Sequence, residues 1–169
     1  GKNVFSKYQE LFGFGSKTGI DLPGEADGLI FSKEQLNPLE LATSSFGQGE
    51  TVTMVQMLSA FSSLINGGEY YKPHVVKEIL NENGGIVKNS DKVLVKETVS
   101  NKTSDLLREY MFQTVESGTA KGAKVPGYTI GGKTGTAQKS PRGQDNYLVS
   151  FIGFAPAEDP QVAIYVIVD

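Results

Sequence analysis

Apolar residues recur at helical spacing in three segments of the chain, which places them on one face of a helix in each case. They are Val4, Phe5, Tyr8, Leu11 and Phe12 in the first segment, Met54, Leu58, Phe61 and Ile65 in the second, and Leu107, Met111 and Val115 in the third. Gly13 follows the first segment and Gly67 follows the second, and glycine favours the end of a helix. We therefore predict helices that end at these glycines and a third helix from Ser100 to Ser117.

A shorter helix is predicted to begin at Asn37. Asparagine is a favourable N-cap, Pro38 suits the first helical turn, and Glu40 follows three positions after the cap. Thr53 and Gln56 have the capping-box spacing at the start of the second long helix. Both helix starts are therefore predicted from local side-chain chemistry.

Strand-like segments make up much of the remaining chain. Residues 74–80 and 86–88 flank a turn rich in asparagine and glycine, which predicts a β-hairpin. Residues 128–138, 147–155 and 162–168 are joined by short polar turns, and connections this short allow only antiparallel neighbours. The last of these runs is apolar at every position, so we expect both of its faces to be covered. The predicted fold class is α+β, an antiparallel sheet flanked by helices.

The composition excludes several kinds of site. The chain has 169 residues, which corresponds to one domain on a prior of about 150 residues per domain. It contains no cysteine and one histidine, which excludes disulfides, a zinc finger and a thiol nucleophile, and predicts no metal or cofactor. The net charge of −3 gives no indication of nucleic-acid binding. The longest apolar run, Val162 to Val168, is far shorter than the roughly 20 residues of a membrane span, so we predict no membrane contact by this segment.

One phosphate-binding motif lacks the structural context that it requires. Residues 127–134 match the pattern Gly-x4-Gly-Lys-Thr, which binds phosphate only between a buried strand and the start of a helix. The preceding residues are not an apolar strand, and the following ones contain two glycines and a proline and cannot begin a helix. Nucleotide binding is therefore not predicted.

The tripeptide Lys-Thr-Gly occurs twice, and its context differs between the two sites. On a strand beside a cleft, its lysine can lie near a serine nucleophile while its hydroxyl binds a substrate carboxylate. Lys17 lies in a glycine-rich loop, which favours a solvated turn. Lys133 lies in a predicted strand, and Thr134 and Thr136 would face the same side of it. From this pattern alone, a ligand-binding strand and a plain polar strand edge remain equally compatible with the residues around Lys133.

The tripeptide at Lys133 is one of eight segments, in order along most of the chain, that together carry a resemblance to a known family. They are Phe12-Gly-Phe-Gly15, Lys17-Thr-Gly-Ile-Asp-Leu-Pro-Gly-Glu25, Ala42-Thr-Ser-Ser-Phe-Gly-Gln-Gly49, Asn66-Gly-Gly68, Tyr71-Lys-Pro73, Glu116-Ser-Gly-Thr119, Gly131-Gly-Lys-Thr-Gly-Thr-Ala-Gln138 and Phe151-Ile-Gly-Phe-Ala-Pro156. These segments resemble those of the penicillin-binding proteins, and in particular the monofunctional class B type of division and sporulation transpeptidases. The resemblance implies a partial transpeptidase fold of the penicillin-binding protein and serine β-lactamase kind.

The chemistry that the resemblance implies is acyl transfer through a serine acyl-enzyme. The terminal D-Ala-D-Ala bond of a peptidoglycan stem peptide is cleaved, the acyl group passes to an amine, and β-lactams trap the intermediate. For this chain it implies that Lys133 is catalytic and that Thr134, Gly135, Thr136 and Gln138 bind the substrate or the drug. The implied location is the extracytoplasmic face of the bacterial membrane, with an anchored parent protein and other cell-wall synthesis proteins as its partners.

Two motifs of the family are absent from the sequence. No serine begins Ser-x-x-Lys, which supplies the nucleophile and its base, and no Ser-x-Asn occurs. The chain begins with Gly1 and stops at Asp169 directly after a strand-like run, so we expect residues 1–169 to be the C-terminal part of one transpeptidase domain without its nucleophile-bearing part. Such a chain should be inactive alone.

Two alternatives remain. The first is a non-catalytic binding or scaffold module with the same fold. The second is a D,D-carboxypeptidase or β-lactamase relative, against which the class B-like segments before Lys133 argue. If strands that normally pair with the missing N-terminal half of the domain are absent, we expect an open apolar surface and a free sheet edge, with oligomeric contacts or mobile residues around 139–146.

Overall fold

The computed structural model describes residues 1–139 and 146–169. Residues 140–145, which make up most of the segment expected to be mobile, lie outside the described residues. The described residues form four α-helices, namely α1 (Lys2–Leu11), α2 (Pro38–Ser44), α3 (Met54–Ile65) and α4 (Asn101–Glu116). All four were predicted from apolar spacing and caps. Among the described residues, no helix combines the length and the apolar character that crossing a membrane demands.

The helix caps form as the sequence predicts. The side chain of Asn37 accepts hydrogen bonds from the backbone N–H groups of Leu39 and Glu40. Thr53 and Gln56 make the reciprocal capping box at the start of α3. Ser100 caps α4. These interactions satisfy N–H groups that have no partner within the first helical turn.

The strands in the described part of the chain form three antiparallel sheets. They are β1 (Glu69–Tyr71), β2 (Glu78–Leu80), β3 (Ile86–Asn89), β4 (Leu94–Glu97), β5 (Gly131–Gln138), β6 (Tyr147–Ala155) and β7 (Val162–Val168). β1 pairs with β4, β2 with β3, and the largest sheet has the order β5-β6-β7. The hairpin and the three-stranded meander confirm the predictions, although β2 and β5 begin later than predicted. The β1–β4 pair was not predicted.

The main core lies between one face of the β5–β7 sheet and the helices α3 and α4. Phe61 and Ile65 of α3 and Phe154 of β6 are buried together, and the rings of Phe61 and Phe154 lie 5.9 Å apart. Met111 and Phe112 of α4 pack against the same cluster. Helices on one face of an antiparallel sheet give the predicted α+β arrangement.

The prediction that both faces of β7 are covered is wrong. Alternate side chains of the strand turn away from the helices and are 45% to 65% exposed, namely Val162, Ile164, Val166 and Val168. The reason is that α3 and α4 occupy only the other face, where Ala163 packs against the core. Within the described part of the chain, β7 also pairs only with β6, so an apolar face and a sheet edge are both open. An open apolar surface and a free sheet edge were expected for a chain without the rest of the domain.

The long loop between α1 and α2 is attached to the rest of the molecule by buried or charged side chains. The fully buried Gln56 donates hydrogen bonds of 2.7 Å to the carbonyls of Ser16 and Asp27. The carboxylate of Asp21 accepts the backbone N–H groups of Val75 and Val76. The loop is therefore fixed on α3 and on the segment after β1.

Candidate active site

The predicted site residues lie on β5, which is an edge strand. Among the described residues β5 pairs with β6 alone, so one side of its backbone has no strand partner. The backbone N–H and C=O groups along such an edge can pair with an extended ligand. Of the predicted residues, Lys133, Thr134, Gly135 and Thr136 lie within the strand, and Gln138 is its last residue, opposite Tyr147.

The register of the β5–β6 pair places the two threonines on one face. Thr134 lies opposite Phe151 and Thr136 lies opposite Val149, whereas Lys133 lies opposite Ile152. Because successive side chains of a strand alternate between faces, Thr134 and Thr136 share a face and Lys133 belongs to the other. The predicted common face of the two hydroxyls is confirmed.

The ammonium group of Lys133 is exposed and hydrogen-bonds to its neighbour in the strand. Its Nζ donates a 2.9 Å hydrogen bond to the carbonyl oxygen of Thr134 and lies 3.5 Å from Oγ1 of the same residue. Within residues 1–139 and 146–169, no carboxylate lies within salt-bridge distance of it. A cation and a hydroxyl therefore lie side by side at the strand edge, a combination that suits an anionic ligand.

Two aromatic rings cover the glycines that precede Lys133. A methyl group at Gly131 would collide with the ring of Phe154, and one at Gly132 would lie 2.5 Å from Cζ of Phe151. A methyl group at Gly153, opposite Gly132, would lie 2.6 Å from Cε1 of the same Phe151 ring. The ring of Phe151 thus packs over Gly132 and Gly153 on one face of the sheet, and the ring of Phe154 packs over Gly131 on the other face. Together the two rings fix the strand backbone next to Thr134.

Sequence reasoning missed this role of Phe151. The residue was recognised only as part of a family segment on the following strand. Its position beside Thr134 depends on the register of the hairpin, because a shift by one residue would turn it to the opposite face. The alternation pattern of β6 alone carries no information on that register.

The Lys-Thr-Gly tripeptide at Lys17 is held within its loop by the carboxylate of Glu25. Oγ1 of Thr18 donates to the carboxylate of Glu25 at 2.5 Å, and the backbone N–H groups of Thr18 and Gly19 donate to the same carboxylate. The hydroxyl of Thr18 is the main cause that lowers the pKa of Glu25, with some opposition from partial desolvation. The hydroxyl is therefore engaged within its own loop, as the prediction of a turn at Lys17 requires.

The structure also confirms that the phosphate-loop pattern has no phosphate-loop geometry. Lys133 and Thr134 lie inside a β-strand rather than at the start of a helix. Of the residues after β5 that the structure describes, none begins a helix, so no helix N-terminus there offers backbone N–H groups to a phosphate.

Comparison with known proteins finds relatives along the whole chain. The family model described as the penicillin binding protein transpeptidase domain matches residues 1–169. Stage V sporulation protein D of Bacillus subtilis is 46% identical over 173 residues, which cover 100% of this chain and 27% of that protein. The peptidoglycan D,D-transpeptidase MrdA of Acinetobacter baumannii is 33% identical over 190 residues, which cover 99% of this chain and 28% of that protein.

Solved structures give the same result at the level of the fold. Penicillin binding protein 3 of Mycobacterium tuberculosis, in complexes with ampicillin and with aztreonam, is 30% identical with a TM-score of 0.89. The match covers 100% of this chain and 40% of that one. The chain therefore has the fold of these transpeptidase domains but spans only about a quarter of the curated relatives it matches.

Proposed function

This chain belongs to the family of penicillin-binding protein transpeptidase domains, and from that premise we propose that β5 forms one wall of the active site of a peptidoglycan D,D-transpeptidase. The observation that carries the proposal is the geometry of β5. Its outer edge is free, Thr134 and Thr136 share a face, and the ammonium group of Lys133 lies beside the Thr134 hydroxyl without an acidic partner among the described residues.

Each residue of the strand has a distinct proposed role. The hydroxyls of Thr134 and Thr136 hold the carboxylate of the stem peptide or of a β-lactam, and Lys133 supports it electrostatically and assists proton movement. Gly135 keeps the strand edge open to the ligand backbone. The backbone N–H of Thr136 donates to the oxyanion, and in a comparable enzyme one such donor is worth roughly 3 kcal/mol. Gln138 lies at the edge of the cleft.

The reaction requires a serine nucleophile, and no motif of this sequence supplies one. Its Oγ attacks the carbonyl carbon of the penultimate D-alanine, and the terminal D-alanine leaves with a proton on its amine. The acyl group then passes to an acceptor amine and regenerates the serine hydroxyl. Because the sequence has no Ser-x-x-Lys, we propose that the chain alone forms no acyl-enzyme.

The proposed setting follows from the names of the relatives. They are penicillin-binding proteins and peptidoglycan transpeptidases, whose substrate, peptidoglycan, lies outside the cytoplasmic membrane. We propose the extracytoplasmic face of that membrane as the location, with peptidoglycan stem peptides, β-lactams and other cell-wall synthesis proteins as the partners of the whole protein.

Labelling with a fluorescent penicillin tests the proposal. Three proteins are compared on a denaturing gel: this chain, B. subtilis stage V sporulation protein D, and a chimera of that relative in which this chain replaces the matched part. The relative is the positive control. A labelled chimera and an unlabelled chain are the expected result. An unlabelled chimera beside a labelled relative would instead favour a non-catalytic module with the same fold.

A further inference from the structure

The ring of Phe151 lies over a pair of opposed glycines on the face of the sheet that carries the threonines. Gly132 and Gly153 are partners in the β5–β6 register, and Thr134 and Phe151 are the next partners on the same face. A methyl group at Gly132 would lie 2.5 Å from Cζ of the ring, and one at Gly153 would lie 2.6 Å from Cε1. The outer end of the ring therefore fills the space that two side chains would otherwise take.

The ring points away from the second threonine. Thr136 and its partner Val149 lie on the other side of Phe151 along the same face. Thr136 is exposed, and Val149 is 47% exposed. Because the outer end of the ring lies over the glycines, it leaves Thr136 uncovered. A ring directed the opposite way would lie across the Thr136–Val149 pair instead.

Thr134 and Phe151 form a close pair across the two strands. Just beyond the strands, the backbone N–H of Lys139 donates to the carbonyl oxygen of Asn146, which continues the same register. Hydrogen-bonded and non-hydrogen-bonded pairs alternate in an antiparallel ladder, and Thr134 is an odd number of positions from Lys139, so its pair with Phe151 is non-hydrogen-bonded. In such pairs the Cα atoms are only about 4.5 Å apart and the side chains lie close together. The ring therefore packs beside Cβ of Thr134.

The hydroxyl of Thr134 lies on the side away from this ring. Because its pair is non-hydrogen-bonded, the carbonyl of Thr134 points to the free edge of β5, where Nζ of Lys133 donates to it at 2.9 Å. Oγ1 of Thr134 lies 3.5 Å from the same Nζ. A β-branched side chain has few χ1 rotamers. A rotamer that turned the hydroxyl toward β6 would place it against the phenyl ring, which offers no hydrogen-bond acceptor comparable to an oxygen. The ring thus favours the rotamer that presents the hydroxyl at the strand edge.

We propose that Phe151 is a positioning residue of the candidate active site. Its ring, seated on the Gly132–Gly153 pair, holds the Thr134 hydroxyl at the free edge and leaves Thr136 uncovered, so that both hydroxyls can bind the ligand carboxylate. This inference rests on the proposed function and adds to it a residue from the neighbouring strand. Phe151 touches no ligand and acts through Thr134. A ring that only filled the face of the sheet would stabilise the fold without any dependence on that hydroxyl.

A double-mutant cycle in the chimera separates the two roles. Phe151→Leu keeps an apolar side chain and removes the ring, and we expect the rate of acylation by fluorescent penicillin to fall by about two- to five-fold, the range of an aromatic cross-strand pair. In the Thr134→Val background the same change should leave the remaining rate unaltered, because the hydroxyl through which the ring acts is gone. Equal slowing in both backgrounds would overturn the inference. The Tm of each variant is measured in parallel, since a structural role alone would lower the Tm by the same amount in both.

Displacing the ring instead of removing it gives a second test. In the chimera, Gly153→Ala places a methyl group against Cε1 of the ring and drives it toward Thr136. We expect acylation to slow by about ten-fold or more, because a small displacement of a group that positions the ligand has a large effect on rate. Adding Phe151→Leu to Gly153→Ala should restore the rate to that of Phe151→Leu alone. Gly122→Ala is the matched control, since no atom lies within 4 Å of its methyl position. A rate for Gly153→Ala equal to that of the control would contradict the role of the glycine pair.

The rotamer of Thr134 can be measured without any reaction. Three-bond NMR couplings to its methyl carbon report χ1 in this chain. They should show one rotamer in the parent chain and averaging between rotamers in Phe151→Leu. Couplings that are the same in both would overturn the inference, whatever the acylation rates are.

These measurements keep the two proposals distinguishable. A chimera that takes no penicillin label, together with a Thr134 rotamer that depends on Phe151, contradicts the transpeptidase proposal and retains the positioning role. A labelled chimera in which Phe151→Leu slows acylation equally with and without the Thr134 hydroxyl does the opposite.

Discussion

The side-chain amide of Gln56 donates a 2.7 Å hydrogen bond to the carbonyl oxygen of Asp27, which lies 29 residues earlier in the chain. The same nitrogen donates to the carbonyl of Ser16, and Oε1 accepts the backbone N–H of Thr53. One buried side chain therefore caps α3 and fixes the loop that carries the first Lys-Thr-Gly tripeptide.

Replacing Gln56 by alanine should destabilise the chain substantially. The change leaves the two carbonyls and the one N–H group that pair with the buried Gln56 side chain without these partners. Each such loss costs about 1 kcal/mol or more, so we expect a total of about 3 kcal/mol. Urea denaturation followed by circular dichroism measures the loss. Gln113→Ala on the exposed side of α4 is the control and should change the stability by less than about 0.5 kcal/mol. Similar losses for the two variants would contradict this account of Gln56.

The carboxylate of Asp21 should make stability depend on pH. The backbone N–H of Val75, followed by that of Val76, lowers the pKa of Asp21 below its ordinary value. A carboxyl group with a lowered pKa in the folded state stabilises the fold at pH values above its unfolded pKa of about 3.9, and this contribution is lost as the pH falls through the folded pKa. Asp21→Asn should therefore lower the Tm at pH 7, and the difference from the parent chain should shrink in acid.

Thermal unfolding between pH 7 and pH 2.5 measures that difference. Asp91→Asn is the control, since Asp91 is exposed and makes no hydrogen bond within the described part of the chain. A Tm difference for Asp21→Asn that stays constant across the range would show that the carboxylate charge is not the cause.

Gly131 should not tolerate a side chain. A methyl group there would collide with the buried ring of Phe154, and overpacking of a core typically costs about 1 to 3 kcal/mol. Gly122→Ala is the matched control, because no atom lies within 4 Å of the position that its methyl group would take. Denaturant titration should show a loss for Gly131→Ala and little change for Gly122→Ala. Equal stability of the two variants would exclude the close packing described for β5.

The two Lys-Thr-Gly tripeptides provide an internal control for the proposed chemistry. In the chimera, Lys133→Ala and Thr134→Val should each slow the reaction with fluorescent penicillin by about 10- to 100-fold, the value of a hydrogen bond to a charged group. Lys17→Ala and Thr18→Val should leave the rate nearly unchanged, because that tripeptide lies in a loop. Stopped reactions resolved on a gel give the rates. A comparable loss at both tripeptides would remove the specific role assigned to β5.

The helices could be predicted from the sequence because their signals are local. The capping box joins Thr53 and Gln56, which are three residues apart. The apolar residues that follow it recur every three or four positions. The β1–β4 pair could not be predicted in the same way. Its strands have only three and four residues and are far apart in the chain, so neither has a pattern long enough to be recognised.

The candidate site was predictable in part for a similar reason. The common face of Thr134 and Thr136 follows from the two-residue period of any strand. The ring of Phe151 beside Thr134 depends on the pairing of two separate strands, which no local pattern contains. The open face of β7 shows the same limit, because an all-apolar run does not reveal on which sides it will be covered.

Successive side chains of β5 point to opposite faces of the sheet, and Gly131 and Gly132 determine which residues lie on which face. If the strand slipped by one residue in one direction, the Lys133 side chain would take the place of Gly132 against the ring of Phe151. A slip in the other direction would put Ile130 in the place of Gly131, against Phe154. In both cases the larger side chain would collide with the ring, so neither slip is possible. The contacts of the two glycines with the rings of Phe151 and Phe154 therefore determine the face on which the threonine hydroxyls lie. An insertion of one residue between Gly132 and Lys133 would therefore turn Lys133, Thr134 and Thr136 to the opposite faces of the sheet, although all of these residues would still be present.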